Sequence, residues 1–472
     1  MLVILVAAWA HMAMAVEYTW VGGDGTQTWE NATNWDEAGY PDGSDDTAII
    51  GNATADRFIT TANALTIGLI PTWTQNDDAT NMIVLGGDMY TAGNLQCIQS
   101  NDSGNAMNMV IDLNGHTFRR RYTSVAVQDT GGSGYAMITS ASGGTWQAGR
   151  LYQMPANAVI GAGVIVLGDS TSRDYVNGIW DPTSIYWVTP NGRKDCYEIR
   201  APAGVGHLII GDTNNAYSTT MSVFRTLTTG RVHGNLTINT YSGATDGDAS
   251  DLIFNTNMAA TWFTKLLVGG NFIDAATDAS GYGGNTRGST GRDSIAFNGS
   301  PATARTVSIG RSGLQNDFYV GVDASDTGHI VLEKDLTTSG RFQVNTGSTL
   351  DVADKTITLH EVAATTPAQD GAFTVQEGAT LAFEVGTLAA GTINCVDLTL
   401  GNYTLDLDVN ASGPSSDLVL FTYSGTLSSA NEPTINITSG APAQWDAYST
   451  TAGEVKLTNF SVPDTGTCII IK

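Results

Sequence analysis

Phe342-Gln-Val-Asn-Thr-Gly-Ser-Thr-Leu350 and Phe373-Thr-Val-Gln-Glu-Gly-Ala-Thr-Leu381 carry Phe, Val, Gly, Thr and Leu at identical offsets, 31 residues apart. Alternate residues of such a segment face one way, a Gly or Asn turns the corner, and the next short strand stacks on the last. Ile111-Asp-Leu-Asn-Gly-His-Thr-Phe118 echoes Leu350-Asp-Val-Ala-Asp-Lys-Thr-Ile357 in the same way. Outward from these repeats, residues 71–400 read as strand after strand with frequent turn signals, as in Asn81-Met-Ile-Val-Leu85 and Asn235-Leu-Thr-Ile-Asn239. No stretch holds apolar residues at helical spacing over three turns. The expectation is an all-β chain whose body is an elongated parallel β-helix (a β-solenoid). Tandem β-sandwiches are the alternative, since they also produce strand–turn–strand echoes.

Composition agrees. Gly is abundant at 54 residues, and only 14% of the chain is charged, which suits short strands and tight turns better than long surface helices. Lys plus Arg total 21 against 46 Asp plus Glu, a net charge of −25. Such a balance excludes nucleic acid as a partner, because phosphate binding needs a basic footprint. No segment after the start approaches the length of a membrane span.

Residues 16–70 form an opening block in which Trp20, Trp29 and Trp35 alternate with Gly, Asn and Pro, an arrangement suited to capping the end of a strand stack. The run Trp20-Val-Gly-Gly-Asp-Gly25, Trp29, Asn34-Trp35, Pro41-Asp-Gly43 and Asp45-Asp-Thr-Ala-Ile-Ile50 resembles the opening of bacterial secreted and phage-encoded β-rich surface proteins. Those include strand-repeat proteins related to autotransporter passengers. The resemblance covers about 35 residues of this block; it implies a β-solenoid downstream and says little about activity. The L-D-[LV] segments above are likewise similar to rungs of right-handed parallel β-helices. Residues 401–472 are expected to be a C-terminal β cap or small sandwich. Its Ile469-Ile-Ile471 either closes a sheet in its own chain or pairs with a neighbour.

Residues 1–15 have the apolar stretch and the Ala13-Met-Ala15 site of an export signal, though without a basic residue at the start. The expected localisation is secreted, extracellular or cell-surface. Cys97, Cys196, Cys395 and Cys468 form no CxxC pair, so buried free thiols are a plainer reading than a disulfide framework.

Catalytic motifs are absent: no G-x-S-x-G, no P-loop and no HExxH appears, and Gly22-Gly-Asp-Gly25 reads as a turn. Three lesser leads remain. Trp180, Tyr186 and Trp187 lie among Asp, Asn, Thr and Arg, and flat rings beside polar groups suit glycan stacking. Arg119, Arg120 and Arg121 are the one dense basic run, fit for an anionic sugar or for pairing with nearby acids. Asp246, Asp248 and Asp251, and also Asp42, Asp45 and Asp46, offer hard oxygens to Ca²⁺, with Asp-rich turns as the plainer reading. Structural filling of the core competes with binding for each ring. The expected function is therefore a non-catalytic structural or adhesive surface protein that self-associates into fibres or a surface layer, or meets a cell surface or glycan. The alternatives are a carbohydrate-binding or polysaccharide-degrading β-helix, and a phage or virion appendage.

Overall fold

The computed structural model describes residues 15–51, 53–73, 79–91, 95–98, 108–120, 125–128, 135–139, 143–148, 151–152, 159–161, 163–167, 175–177, 179–188, 197–200, 204–211, 220–223, 229–239, 251–254, 265–275, 294–300, 302–311, 314, 316–361, 371–385, 391–409, 417–440, 444–451 and 453–461. Nearly all of their regular structure is strand, with a single 3₁₀ turn at Ala32–Asn34. Two compact units emerge: one holds residues 1–170 and 174–184, the other residues 171–173 and 185–472.

In the first unit each coil contributes three short strands. Leu69–Trp73, Thr80–Val84 and Met89–Thr91 are followed by Leu95–Ile98, Asn108–Asp112 and Thr117–Arg120. Each strand pairs in parallel with its counterpart one coil later. The next coil, Val125–Gln128, Tyr135–Thr139 and Thr145–Ala148, repeats the pattern. This is a parallel β-helix, as expected. Tandem sandwiches do not fit, because sandwich sheets pair antiparallel, whereas among the described residues the antiparallel strand pairs are the C-terminal hairpin and its contact with Leu418–Tyr423.

The second unit shows why the sequence repeats. Phe342 pairs in register with Phe373 and Val344 with Val375, while Leu350 pairs with Leu381. The 31-residue echo is one full coil. Gly347 and Gly378 hold equivalent corners at φ +73° and +75°, a region open to glycine at little cost. The echo between Ile111–Phe118 and Leu350–Ile357 is also one local structure. Asp112 accepts from Asn114 N at 3.0 Å and Asp351 from Ala353 N at 2.8 Å. Asn114 and Ala353 both turn the corner at positive φ, 46° and 54°.

Strand side chains alternate: Thr349–Ala353 and Thr356–Leu359 each place every second residue in the core. Phe318, Phe342 and Phe373 stack in one internal column, with centroids 6.1 and 5.6 Å apart. Asp274 and Arg311 form an internal ion pair at 2.6 Å with both side chains fully buried.

Both ends differ from the expected boundaries. Parallel pairing already joins Glu17–Thr19 to Thr47–Ile50, so residues 16–70 contain coils as well as a cap. The cap is a cluster in which Trp35 packs edge-on against Trp20 at 5.0 Å and Trp29 at 4.9 Å. Parallel rungs also continue past residue 400, through Thr404–Val409 to Thr434–Gly440. The closing element is a smaller hairpin, Gln444–Thr451 and Glu454–Ser461, whose second strand pairs antiparallel with Leu418–Tyr423. Among the described residues no helix is long and apolar enough to cross a membrane.

Candidate functional site

The most regularly placed polar side chains sit at the corners. In a parallel ladder the residue just before a strand turns an N–H outward from the pairing, and a short acceptor one coil earlier can take it. Asp56 accepts from Thr80 N at 2.8 Å, Asp88 from Thr117 N at 2.8 Å, Asp335 from Thr356 N at 2.8 Å and Asp397 from Thr426 N at 2.7 Å. Asp317 does the same for Arg341 N at 2.9 Å. Neutral acceptors form a continuous column: His207 Nδ1 takes Asn235 N, Asn235 takes Asn271 N, and Asn271 takes Thr306 N, at 3.0, 3.0 and 2.9 Å. Donor and acceptor always hold the same register position in successive coils. Several of the acidic side chains therefore bind backbone. The sequence signal was present as an Asp or Asn directly before Leu, Phe or Met, as in Asp335-Leu336, Asp397-Leu398 and Asn271-Phe272; only the register shows what it does.

Asp24, one residue before the Gly25–Arg57 pair, gathers several bonds from the turn that precedes Arg57 rather than from its aligned residue. Its carboxylate accepts from the Thr54 hydroxyl at 2.6 Å, from Thr54 N at 3.2 Å and from Ala55 N at 3.0 Å. It also pairs with the nearly buried Arg57 at 3.1 Å. The Thr54 hydroxyl, the Ala55 amide and the Arg57 charge hold the Asp24 carboxyl below the usual range. Asp36 is lowered by the Thr19 amide, and Asp323 by the Ser325 hydroxyl and amide. Asp351 moves the other way: burial raises it, outweighing the pull of the Ala353 amide and of His329, and Asp408 and Asp406 add a smaller repulsion.

Of the expected glycan residues, the side chains of Tyr186, Trp187 and Arg119 are among those described. Tyr186 is fully buried, because it lies in register with Leu208, which continues the internal column of Leu236 and Phe272. It is a core ring, which corrects its reading as a stacking platform. Trp187 faces the other way and is half-buried, its indole donating to Gly211 O at 2.9 Å. Trp180 lies in the strand Ile179–Trp180 and Arg120 ends Thr117–Arg120, their side chains being outside the described residues, as is Arg121 altogether. Arg119 is exposed, with its guanidinium 5.9 Å from the centroid of the Tyr90 ring one coil earlier.

Little of the first calcium candidate falls within the described residues. Asp246 and Asp248 lie outside the described residues, and Asp251 opens the strand Asp251–Phe254. Asp46 closes a turn by accepting from Asp42 N at 3.2 Å and Gly43 N at 2.8 Å. Among the described residues no group of three or more His, Cys, Asp or Glu could hold a metal ion. Cys395 is a buried free thiol, its Sγ 3.6 Å from Thr422 O, and burial pushes it up to about 12; such a thiol is inert as a nucleophile. The other three cysteines are outside the residues whose side chains are described. No family model matches this chain, and neither does any curated protein or solved structure.

Proposed function

We propose that this chain is a non-catalytic structural or adhesive surface protein of the extracellular space. The observation that carries the reading is that carboxylates at turns and corners bind the backbone of their own or a neighbouring coil. A catalytic site needs titratable groups converging on a reacting atom. Here the lowered Asp24, Asp36 and Asp323 each bind their own turn or neighbouring coil. Stacked coils tied by inward columns and by corner caps make a scaffold that holds its outer faces in place. The apolar opening followed by Ala13-Met-Ala15 supports export.

A carbohydrate-binding role is the second reading, supported by the exposed Arg119 above Tyr90, since a cation and a ring side by side suit an anionic sugar. The test is to incubate the purified chain with a panel of neutral and uronate-containing polysaccharides, reading retention, new reducing ends and unsaturated uronates. No new ends and no unsaturated products are expected. Cleavage of any member overturns the proposal; retention without cleavage, lost in Arg119→Ala, makes glycan adhesion the role.

A further inference from the structure

The last parallel rung, Thr434–Gly440, leaves one edge bare. It pairs with Thr404–Val409 on one side, and among the described residues no strand pairs with it on the other. Ile435 and Ile437 continue the internal columns of Leu405 and Leu407. Leu405 and Leu407 are fully buried, whereas Ile437 is 37% exposed. The core columns thus run out into solvent at this rung. The opposite end of the chain is different, because Trp20, Trp29 and Trp35 are at most 6% exposed and close it.

Natural edges are blunted by Lys, by Pro, by inward charge or by brevity. Thr-Ile-Asn-Ile-Thr-Ser-Gly has none of these over its seven residues, its one irregularity being a register shift at Thr438, between the Leu407–Ile437 and Asp408–Ser439 pairs, in a chain of net charge −25. It is also self-complementary. Thr434 N donates inward to Tyr403 O at 3.0 Å, and strand groups alternate in direction, so the N–H and C=O of Ile435 and Ile437 point to the free edge. A two-fold axis through Asn436 sets Ile435 opposite the second copy's Ile437 as a narrow pair that exchanges both hydrogen bonds, and symmetry repeats the pair. Asn436 then faces its own copy as a wide pair, and Thr434 faces Thr438. From Thr434 to Thr438 every position meets a side chain of its own kind, and the match ends there, with Ser439 opposite Pro433.

We infer that Thr434–Gly440 is the interface of a symmetric dimer, in which this strand pairs antiparallel with the same strand of a second copy. The two-fold contact closes at two chains. It rests on the proposed function only for its setting: it names the surface through which such a protein associates. The two tests fail independently, since one reads sugars and the other reads mass.

Sedimentation equilibrium of the full chain is expected to show a monomer–dimer equilibrium that shifts toward dimer as salt screens the like charges of the two copies. Ile437→Lys places a charge in the narrow pair and is expected to leave a monomer with an unchanged circular-dichroism spectrum. Asn436→Cys puts thiols across a wide pair with Cα atoms about 4.5 Å apart, within the reach of a disulfide. Mild oxidation is expected to give a covalent dimer with this variant and none with Thr26→Cys on the N-terminal edge strand. The inference is overturned by a chain that stays monomeric at all salts, by a dimer that Ile437→Lys leaves intact, or by an Asn436→Cys chain that does not cross-link. A monomer whose Ile435 and Ile437 amides resist hydrogen exchange also overturns it, because the chain would then cover its own edge.

Discussion

Asp335 precedes the strand Leu336–Thr338 and takes the amide of Thr356, the residue aligned with it one coil later, at 2.8 Å. Removing the acceptor leaves that solvent-accessible amide to water, and such a hydrogen bond is worth about 0.5–1.5 kcal/mol. Asp335→Ala is expected to lower unfolding free energy by about that amount, while Asp335→Asn, which keeps an acceptor oxygen, loses less than half as much. Urea titration of both variants checks the ordering; equal losses would mean that charge at the corner, not acceptance, matters. At the related corner Ala353 holds φ +54°, a left-handed conformation that side chains with a Cβ adopt at a cost. Its aligned partner Asn114 meets the same demand with a residue that tolerates it. Ala353→Asn is therefore expected to stabilise by about 0.5 kcal/mol, seen as a higher urea midpoint at unchanged slope.

The aromatic column on one face is the element whose loss matters most. Phe342 is fully buried and stacks between Phe318 at 6.1 Å and Phe373 at 5.6 Å. Phe342→Ala is expected to cost about 3–5 kcal/mol, since neighbouring rungs cannot collapse onto the gap without breaking register. Proteolysis should then cut first near this coil. This column was legible in the sequence, because Phe342 and Phe373 repeat with Gly347 and Gly378 at the corners, and the register is the alignment itself. Segment Ile185-Tyr-Trp-Val188 was less legible. It is apolar at every position, so period-two reading cannot say which parity faces in; its pairing with His207–Ile210 decides for Tyr186. The role of the corner carboxylates was hidden for a related reason. Each is an ordinary turn Asp in one dimension, and its partner lies a coil away at spacings that vary with loop length. Asp335 and Thr356 are 21 residues apart, Asp88 and Thr117 are 29.

At the scale of the whole molecule these carboxylates set an unusual response to acid. Asp24, Asp36 and Asp323 are held below the ordinary carboxylate range by hydrogen bonds present only in the fold. Their stabilisation is complete above the unfolded value of about 4 and is lost as pH falls through their folded values. Asp351 has the opposite sign. Burial beside Asp406 and Asp408 raises it, so its ionisation weakens the fold as pH rises from the unfolded value through the folded one. Net repulsion in a chain of formal charge −25 acts in the same direction. The two trends cross, and the melting temperature is expected to peak on the acid side of neutrality, above about pH 4, and to fall steeply below it. Asp351→Asn keeps an oxygen for the Ala353 amide while removing the charge. It should raise stability at pH 7 by a few tenths to about 1 kcal/mol, after allowance for solvent screening of a half-exposed group, and should leave the acid limb untouched. Raising ionic strength should do the same at neutrality by screening the exposed acids. Melting curves by circular dichroism from pH 3 to 8, at low and high salt, read both limbs at once. A peak that stays at neutral pH in low salt would show that neither repulsion nor Asp351 governs the alkaline limb. Loss of the acid limb in Asp24→Asn alone would place most of it in the bonds that Thr54, Ala55 and Arg57 make to one carboxylate.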